Sequence, residues 1–293
     1  NAMKAGALVM AALALSAAAA PSPKVVMPLT KAPTVKKILP GETVELKTID
    51  GWALQAVYAP AAEGKKTLVL LHGTGQRKED WKLLALPLTR AGYGLMAVDL
   101  RGHGESRTSP SGEVLTWKQL KATTKADNDF LDMSRDADAV VAFLTGQGVP
   151  EESIGFIGAE VGGSIALRYA ATHAKVPLVI LLSPGMKWQE VLTVNALRAM
   201  KRPIPTPLLM VYSEADRVSS KEAPIMYSFA KAAVGAQMAT LVPVPQERGT
   251  RMLKAQPALI EQIISWIGNP VAPEAPAVST PAAVAPPADD GDD

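Results

Sequence analysis

A glutamate framed by two glycines is the residue of this sequence with the clearest capacity for chemistry. Glu160 stands at the centre of Gly158-Ala159-Glu160-Val161-Gly162, after the apolar run 154–157 and before an apolar stretch with helical spacing. The pattern G-x-S-x-G places a nucleophilic serine on a sharp turn between a strand and a helix, where glycines let the two backbones approach closely. The sequence therefore predicts this turn with a carboxylate at its tip instead of a hydroxyl.

Strands and helices are predicted to alternate on both sides of this turn. The predicted strands are 44–48, 54–58, 67–71, 95–98, 154–157, 178–182, 207–212 and 240–244, and the predicted helices are 80–91, 133–147, 162–173, 189–200, 221–234 and 258–267. The first two strands are predicted to form a hairpin. Short apolar strands separated by helices are typical of a mostly parallel sheet covered on both faces. We therefore expect an α/β fold with about eight strands.

Four segments, in chain order, resemble the α/β-hydrolase superfamily. They are LLHGTG at 70–75, VDLRGHGES at 98–106, the glycine frame around Glu160, and LMVYSEADRV at 209–218. The resemblance covers about residues 41–268 and points to the serine-hydrolase type, which includes esterases, lipases and peptidases. It implies the α/β-hydrolase fold, and the short segment 183–207 leaves no room there for a large lid domain.

The resemblance also implies which positions correspond to a catalytic triad. The order in the superfamily is nucleophile, acid and histidine, which assigns Glu160 to the first position and Asp216 to the second. The histidine position falls after the last strand and before a glycine, and Arg248 is the best match because it precedes Gly249. Two of the three triad residues are therefore replaced.

The resemblance further implies the groups that surround the triad positions. The backbone N–H of Val161 and one from the loop containing Gly73 and Thr74 would hold an oxyanion, and Gly158 and Gly162 would be the glycines of the elbow. Trp117, Trp188 and Met186 either line the mouth of a pocket or serve ordinary packing.

The substitutions remove the base that hydrolysis needs. A carboxylate can act as a nucleophile, but a base must then activate water against the ester intermediate. Arginine remains protonated and cannot be that base. The three histidines are His72 and His103, for which we expect structural roles, and His173, which suits the end of a helix. Neither Ser106, Ser164 nor Ser183 restores the triad. We hypothesise that Glu160, Arg248 and Asp216 form an ion cluster in its place.

Composition excludes several other functions. The chain has 293 residues, a net charge of +2 and no cysteine. This length suits one large domain, and the balanced charge gives no support for nucleic-acid binding. The absence of cysteine excludes disulfides, thiolate catalysis and cysteine-ligated zinc, and a chain with three histidines gives no support for a histidine-rich metal site. We predict no metal and no cofactor.

The ends of the sequence read as segments outside the domain. Residues 1–2 precede Met3 and are interpreted as an expression remnant, 3–20 as a signal peptide, 21–40 as a linker and 269–293 as a disordered tail rich in proline and alanine with an acidic end. The alternative for 3–20 is an uncleaved membrane anchor, and no other segment is apolar enough to span a bilayer. We expect an exported protein, periplasmic or secreted, with no membrane span after cleavage.

Two classes of function follow from the sequence. The first is a non-hydrolytic relative that binds a small molecule or a protein in the retained site. The second is an active enzyme, either a divergent hydrolase of esters or amides or a lyase that uses Glu160 as a general base.

Overall fold

The protein is described by a computed structural model over residues 38–272. Eight strands form one sheet, and two short strands form a separate hairpin. The strands of the sheet are β1 (Glu42–Lys47), β2 (Ala53–Ala59), β3 (Thr67–Leu71), β4 (Gly94–Val98), β5 (Ile154–Ala159), β6 (Val179–Leu182), β9 (Leu208–Ser213) and β10 (Ala239–Val244), and the hairpin consists of β7 (Lys187–Trp188) and β8 (Val191–Leu192).

The sheet has the order β1-β2-β4-β3-β5-β6-β9-β10. The first two strands run antiparallel to each other, β2 runs antiparallel to β4, and the remaining neighbours are parallel. The carboxyl ends of the parallel strands therefore lie along one edge, which is where ligand-binding and catalytic groups of such sheets collect. This is the α/β-hydrolase architecture that the motifs predicted.

Helices cover both faces of the sheet. They are α1 (Lys82–Arg90), α2 (Ser134–Gly146), α3 (Val161–Thr172), α4 (Val194–Ala199), α5 (Ser219–Val234), α6 (Met252–Ala255) and α7 (Ala258–Gly268). Strand β3 shows why two layers are needed: Leu68 and Leu70 join the apolar cluster that contains α1 and α7, whereas Val69 and Leu71 join the cluster that contains α2, α3 and α5. All four side chains are fully buried, so the strand carries no polar face.

One predicted helix begins later than the sequence pattern indicated. The pattern predicted a helix over 189–200, but residues 187–192 form the β7–β8 hairpin and α4 begins at Val194. Gln189 and Glu190 take φ values of 49° and 63°, the left-handed conformation of a tight hairpin turn. The side chain of Asn128 donates a hydrogen bond to the Gln189 carbonyl over 3.0 Å. A hydrogen bond between residues 61 positions apart cannot be predicted from local periodicity. The segment 183–207 contains only this hairpin and α4, so no large lid domain is present there.

The segments predicted at the two ends lie mostly beyond the described residues. The predicted signal peptide falls wholly outside them, as do most of the predicted linker and of the predicted tail. Over residues 38–272, no helix combines the length and the apolar character needed to cross a bilayer.

Candidate functional site

The glycine frame forms the sharp turn that its spacing predicted. Strand β5 ends at Ala159, α3 begins at Val161, and Glu160 between them has φ 49° and ψ −118°. Its backbone N–H donates to the Leu182 carbonyl over 2.9 Å. A Cβ atom on Gly158 or Gly162 would collide with neighbouring backbone, so only glycine fits at either position. A non-glycine residue in this conformation costs about 1–3 kcal/mol, and the surrounding fold holds it there.

The Glu160 side chain is buried against a half-exposed arginine. Its side chain is 3% exposed, and the Arg248 Nε lies 2.8 Å from Oε1 with 46% of the arginine side chain exposed. The N–H of that nitrogen is not directed at the carboxylate, so Oε1 accepts no hydrogen bond from the described residues. Burial raises the pKa of Glu160, and the positive charges of Arg248 and Arg251 oppose this rise without cancelling it. The Glu160 carboxylate therefore has an ion-pair partner, but its Oε1 atom lacks a hydrogen bond.

The other carboxylate oxygen fills the space in front of the loop that follows β3. A Cβ atom added to Gly73 would meet Glu160 Oε2 first. Gly73 is one of the residues predicted to shape an oxyanion site, and the carboxylate lies directly beside it. Its charge also opposes the binding of an oxyanion there.

A short loop carries Arg248 and is fixed by its neighbours. The Gly249 N–H donates to Ser183 Oγ over 2.8 Å, and Thr250 Oγ1 donates to Gln76 Oε1 over 3.3 Å. The Arg248 guanidinium lies over the Trp188 ring, 5.8 Å from its centroid. Trp188 itself donates from Nε1 to the Ser183 carbonyl over 3.2 Å. The β7–β8 hairpin therefore supplies the aromatic wall of the site.

Asp216 lies at the site but does not join the ion pair. Its carboxylate accepts hydrogen bonds from the Ser219 hydroxyl over 2.8 Å and from the Val218 N–H over 3.1 Å. No ion pair of Asp216 with an arginine or lysine is found among the described residues. It is near enough to Glu160 to contribute to the rise in the pKa of that group. The expected cluster of three is thus a Glu160–Arg248 pair, because local bonds at the start of α5 hold the third member.

None of the three histidines forms a hydrogen bond or an ion pair with Glu160. His72 accepts from the Leu100 N–H at Nε2 over 3.1 Å, so its Nδ1 carries the proton and donates to the Gly73 carbonyl over 2.8 Å. Burial lowers the pKa of His103 to about 3. His173 stacks on Tyr169 at the end of α3. Within residues 38–272, no group of three or more histidine, cysteine, aspartate or glutamate side chains is arranged to hold a metal ion.

Gln76 is a residue of the site that sequence reasoning missed. Its Oε1 accepts from the Gly73 N–H over 3.1 Å and also from Thr250, so it joins the loop after β3 to the loop that carries Arg248. Two other predicted donors stay free, because the N–H groups of Thr74 and Val161 have no acceptor among the described residues. Gln76 belongs to no motif, and only its place four residues after His72 could have pointed to it.

Buried ion pairs fix the loop that follows β4. Lys78 Nζ lies 2.7 Å from Asp99 Oδ2, and Arg101 lies 2.7 Å from Asp136. Arg101 also pairs with Asp50 over 2.7 Å. Removing one member of such a buried pair costs about 3–5 kcal/mol. These residues therefore stabilise the loop that follows β4.

Sequence comparison finds one matching family model and several curated relatives. The family model described as serine aminopeptidase, S33, matches residues 62–202. Protein phosphatase methylesterase 1 of Mus musculus is 32% identical over 133 residues, which are 45% of this chain and 30% of that protein. The acetyltransferase component of the acetoin cleaving system of Cupriavidus necator is 30% identical over 137 residues, 46% of this chain and 30% of that protein. The chain thus matches about a third of the length of these curated relatives.

Solved structures share the fold over most of the chain. The esterase Pf2001 of Pyrococcus furiosus aligns with a TM-score of 0.61 and 20% identity, covering 78% of this chain and 90% of that one. A soluble variant of monoglyceride lipase from Saccharomyces cerevisiae aligns with a TM-score of 0.58 and 14% identity, covering 82% and 99%. At these identities the likeness shows the fold, and the chemistry must come from the site itself.

Proposed function

Because this chain belongs to the α/β-hydrolase superfamily, we propose that it is an exported, non-hydrolytic member that binds a small molecule or a protein partner at the site around Glu160. The site keeps the turn of the fold and two free backbone donors, but its nucleophile and histidine positions hold other residues. It is a pseudoenzyme with a degenerate triad.

One observation carries the proposal. A guanidinium lies 2.8 Å from the side chain at the nucleophile position, where acyl transfer requires a group that can take up a proton. An arginine side chain offers only N–H donors and keeps its positive charge in proteins, so it cannot accept a proton from a nucleophile. An acyl-enzyme formed on Glu160 would have no base to activate the water that must hydrolyse it.

The position of the carboxylate supports the same conclusion. Glu160 Oε2 lies in front of Gly73. The carbonyl carbon of a substrate could therefore not approach residue 160 as it would approach a serine hydroxyl at that position. The carboxylate would first have to move, and its burial beside Arg248 opposes that movement.

Ester turnover is the direct test. The relatives include proteins named as esterases, so a short-chain p-nitrophenyl ester and a fluorophosphonate probe suit the site. We expect no labelling and no turnover above that of the Glu160→Gln variant, which keeps the shape of the side chain. Saturable turnover by the wild type that Glu160→Gln abolishes would refute the proposal.

A rescue experiment distinguishes a site that lacks only the triad side chains from a site whose oxyanion donors have also moved. Glu160→Ser combined with Arg248→His restores a nucleophile and a base, and the Val161 and Thr74 N–H groups remain available as oxyanion donors. We expect weak esterase activity from the double variant and none from either single variant. A folded but inactive double variant would mean that the oxyanion donors have also moved.

A second candidate function rests on the protonation of Glu160. Burial raises the pKa of this carboxyl group, and a raised pKa suits a general base for proton abstraction. In that case the protein would be a divergent hydrolase or a lyase. A reaction rate that rises with pH through the pKa of Glu160 and disappears in Glu160→Gln would favour this candidate.

Export is the remaining part of the proposal. Residues 3–20 have the basic start and apolar run of a signal peptide. Expression of the full chain in a bacterium, followed by fractionation and amino-terminal sequencing, should recover a shortened protein from the periplasm or the medium. Recovery of the uncut chain from the membrane would indicate an anchor instead.

A further inference from the structure

We propose that the site is a cation receptor, and that the Arg248 side chain is a replaceable internal occupant of the place where an ammonium or guanidinium ligand binds. This inference rests on the proposed function and adds the chemical class of the ligand. Three features of the site support this inference. They are a buried carboxylate that can accept a further hydrogen bond, an aromatic side chain, and a weakly held cation between the two.

The acceptor is the Glu160 carboxylate. Its side chain is 3% exposed, yet Oε1 accepts no hydrogen bond within the described part of the chain, although Arg248 Nε lies at 2.8 Å. A buried carboxylate oxygen without a directed donor is unfavourable, because nothing replaces the water it has lost. A ligand that directs an N–H at Oε1 would satisfy it better than the arginine does.

The aromatic wall is the ring of Trp188. It lies 5.8 Å from the Arg248 guanidinium carbon, within the range of a cation–π interaction. The hydrogen bond from its Nε1 to the Ser183 carbonyl fixes the ring independently of Arg248. A cation that replaced the arginine would therefore meet a wall that is already in place.

The present occupant is held weakly. The Arg248 side chain donates no hydrogen bond to any described residue, and 46% of it is exposed. Its loop does not depend on it, since Gly249 bonds to Ser183 and Thr250 bonds to Gln76. The side chain can consequently swing into solvent while the loop keeps its position.

The charges around the site favour a cation over an anion. Asp216 adds a second negative charge near Glu160. Arg251, the other cation near Glu160, is engaged with Glu247 over 3.0 Å. Without the Arg248 side chain, the site would hold two carboxylates and no uncommitted positive charge among these groups.

Chemical rescue of an Arg248→Ala variant tests the proposal. Methylguanidinium chloride and methylammonium chloride are titrated into the variant and the wild type by isothermal calorimetry, with sodium chloride matching the ionic strength. We expect saturable binding to the variant with a Kd at least about tenfold lower than for the wild type, because the internal competitor is gone. Adding Trp188→Ala should weaken this binding several-fold.

Two further variants keep the test decisive. Arg251→Ala removes an exposed cation of the same loop and should create no binding site for the probes. Arg248→Gln replaces Arg248→Ala if the alanine variant does not fold, and it should bind the probes as Arg248→Ala would. Binding that persists when Glu160→Gln is added, or no saturable binding in either folded Arg248 variant, would overturn the cation site. That result would not bear on the ester assay, so the cation site and the non-hydrolytic function can be refuted independently.

Discussion

The Glu160–Arg248 pair should contribute a measurable and pH-dependent coupling to stability. The perturbation is a double-mutant cycle with Glu160→Gln, which keeps the size of the side chain, and Arg248→Met, which keeps its aliphatic stem. Both changes remove a charge while preserving most of the packing, so the cycle isolates the interaction between the two groups.

The distance and the exposure of the pair set the expected magnitude. At 2.8 Å, two unit charges attract by about 6 kcal/mol at an effective dielectric near 20 and by about 1.5 kcal/mol in bulk water. Arg248 is 46% exposed and its N–H is misdirected, so solvent screens much of this attraction. We expect a coupling of about 1–2 kcal/mol, between the values typical of exposed and of buried pairs.

Urea unfolding followed by circular dichroism measures the coupling at about pH 8 and again near pH 4, where a glutamate of raised pKa is protonated. The coupling should be largely lost at the lower pH. Arg251→Met is the matched control: it removes a cation from the same loop whose carboxylate partner is exposed, and it should change stability by less than about 0.5 kcal/mol. A coupling below about 0.3 kcal/mol at the higher pH, or one of equal size at both pH values, would refute the reasoning.

Three further outcomes follow from the same structure. The raised pKa of Glu160 means that the folded state keeps a proton that the unfolded chain releases above a pH of about 4. The stability of the wild type should therefore fall as the pH rises from about 4 to the raised pKa, and the Glu160→Gln variant should become more stable relative to the wild type over the same range. Urea titrations at several pH values measure both effects. Gly162→Ala places a Cβ against the backbone of Leu71 and His72, at the end of β3, and should destabilise the fold by more than about 2 kcal/mol in urea unfolding. Gly146→Ala is the control, because its Cβ meets no neighbouring atom and it should not destabilise the fold. Asp216→Ala removes the acceptor of two hydrogen bonds at the start of α5 and should lower thermal stability by about 1–2 kcal/mol, while an effect near zero would show that these bonds form equally with water.

Local pattern was sufficient for the architecture and for the turn at the site. Strand β3 was predicted with its observed bounds, because four consecutive apolar residues after Thr67 describe a strand buried on both faces. The position of Glu160 at the tip of a turn followed from Gly158 and Gly162, since only glycine tolerates the approach of the two backbones. These features depend on residues close together in the chain.

Contacts between distant segments decided what the site contains. Gln76 and Thr250 form a hydrogen bond across 174 positions of the chain, and neither residue belongs to a predicted motif. Asp216 is the exception, because it was expected to join the Glu160–Arg248 pair but its carboxylate is held by hydrogen bonds from Val218 and Ser219, its neighbours in the chain.

The sequence by itself determined the fold class and the sharp turn at Glu160, and it predicted that Arg248 stands at the position that corresponds to the histidine. Each of these follows from residue type and short-range spacing, which sterics and protonation chemistry constrain directly. Only the tertiary structure decided that Arg248 lies between Glu160 and Trp188, and that the carboxylate closes the space before Gly73. Side-chain positions of this kind depend on how segments far apart in the chain pack together, and spacing along the chain does not encode that packing.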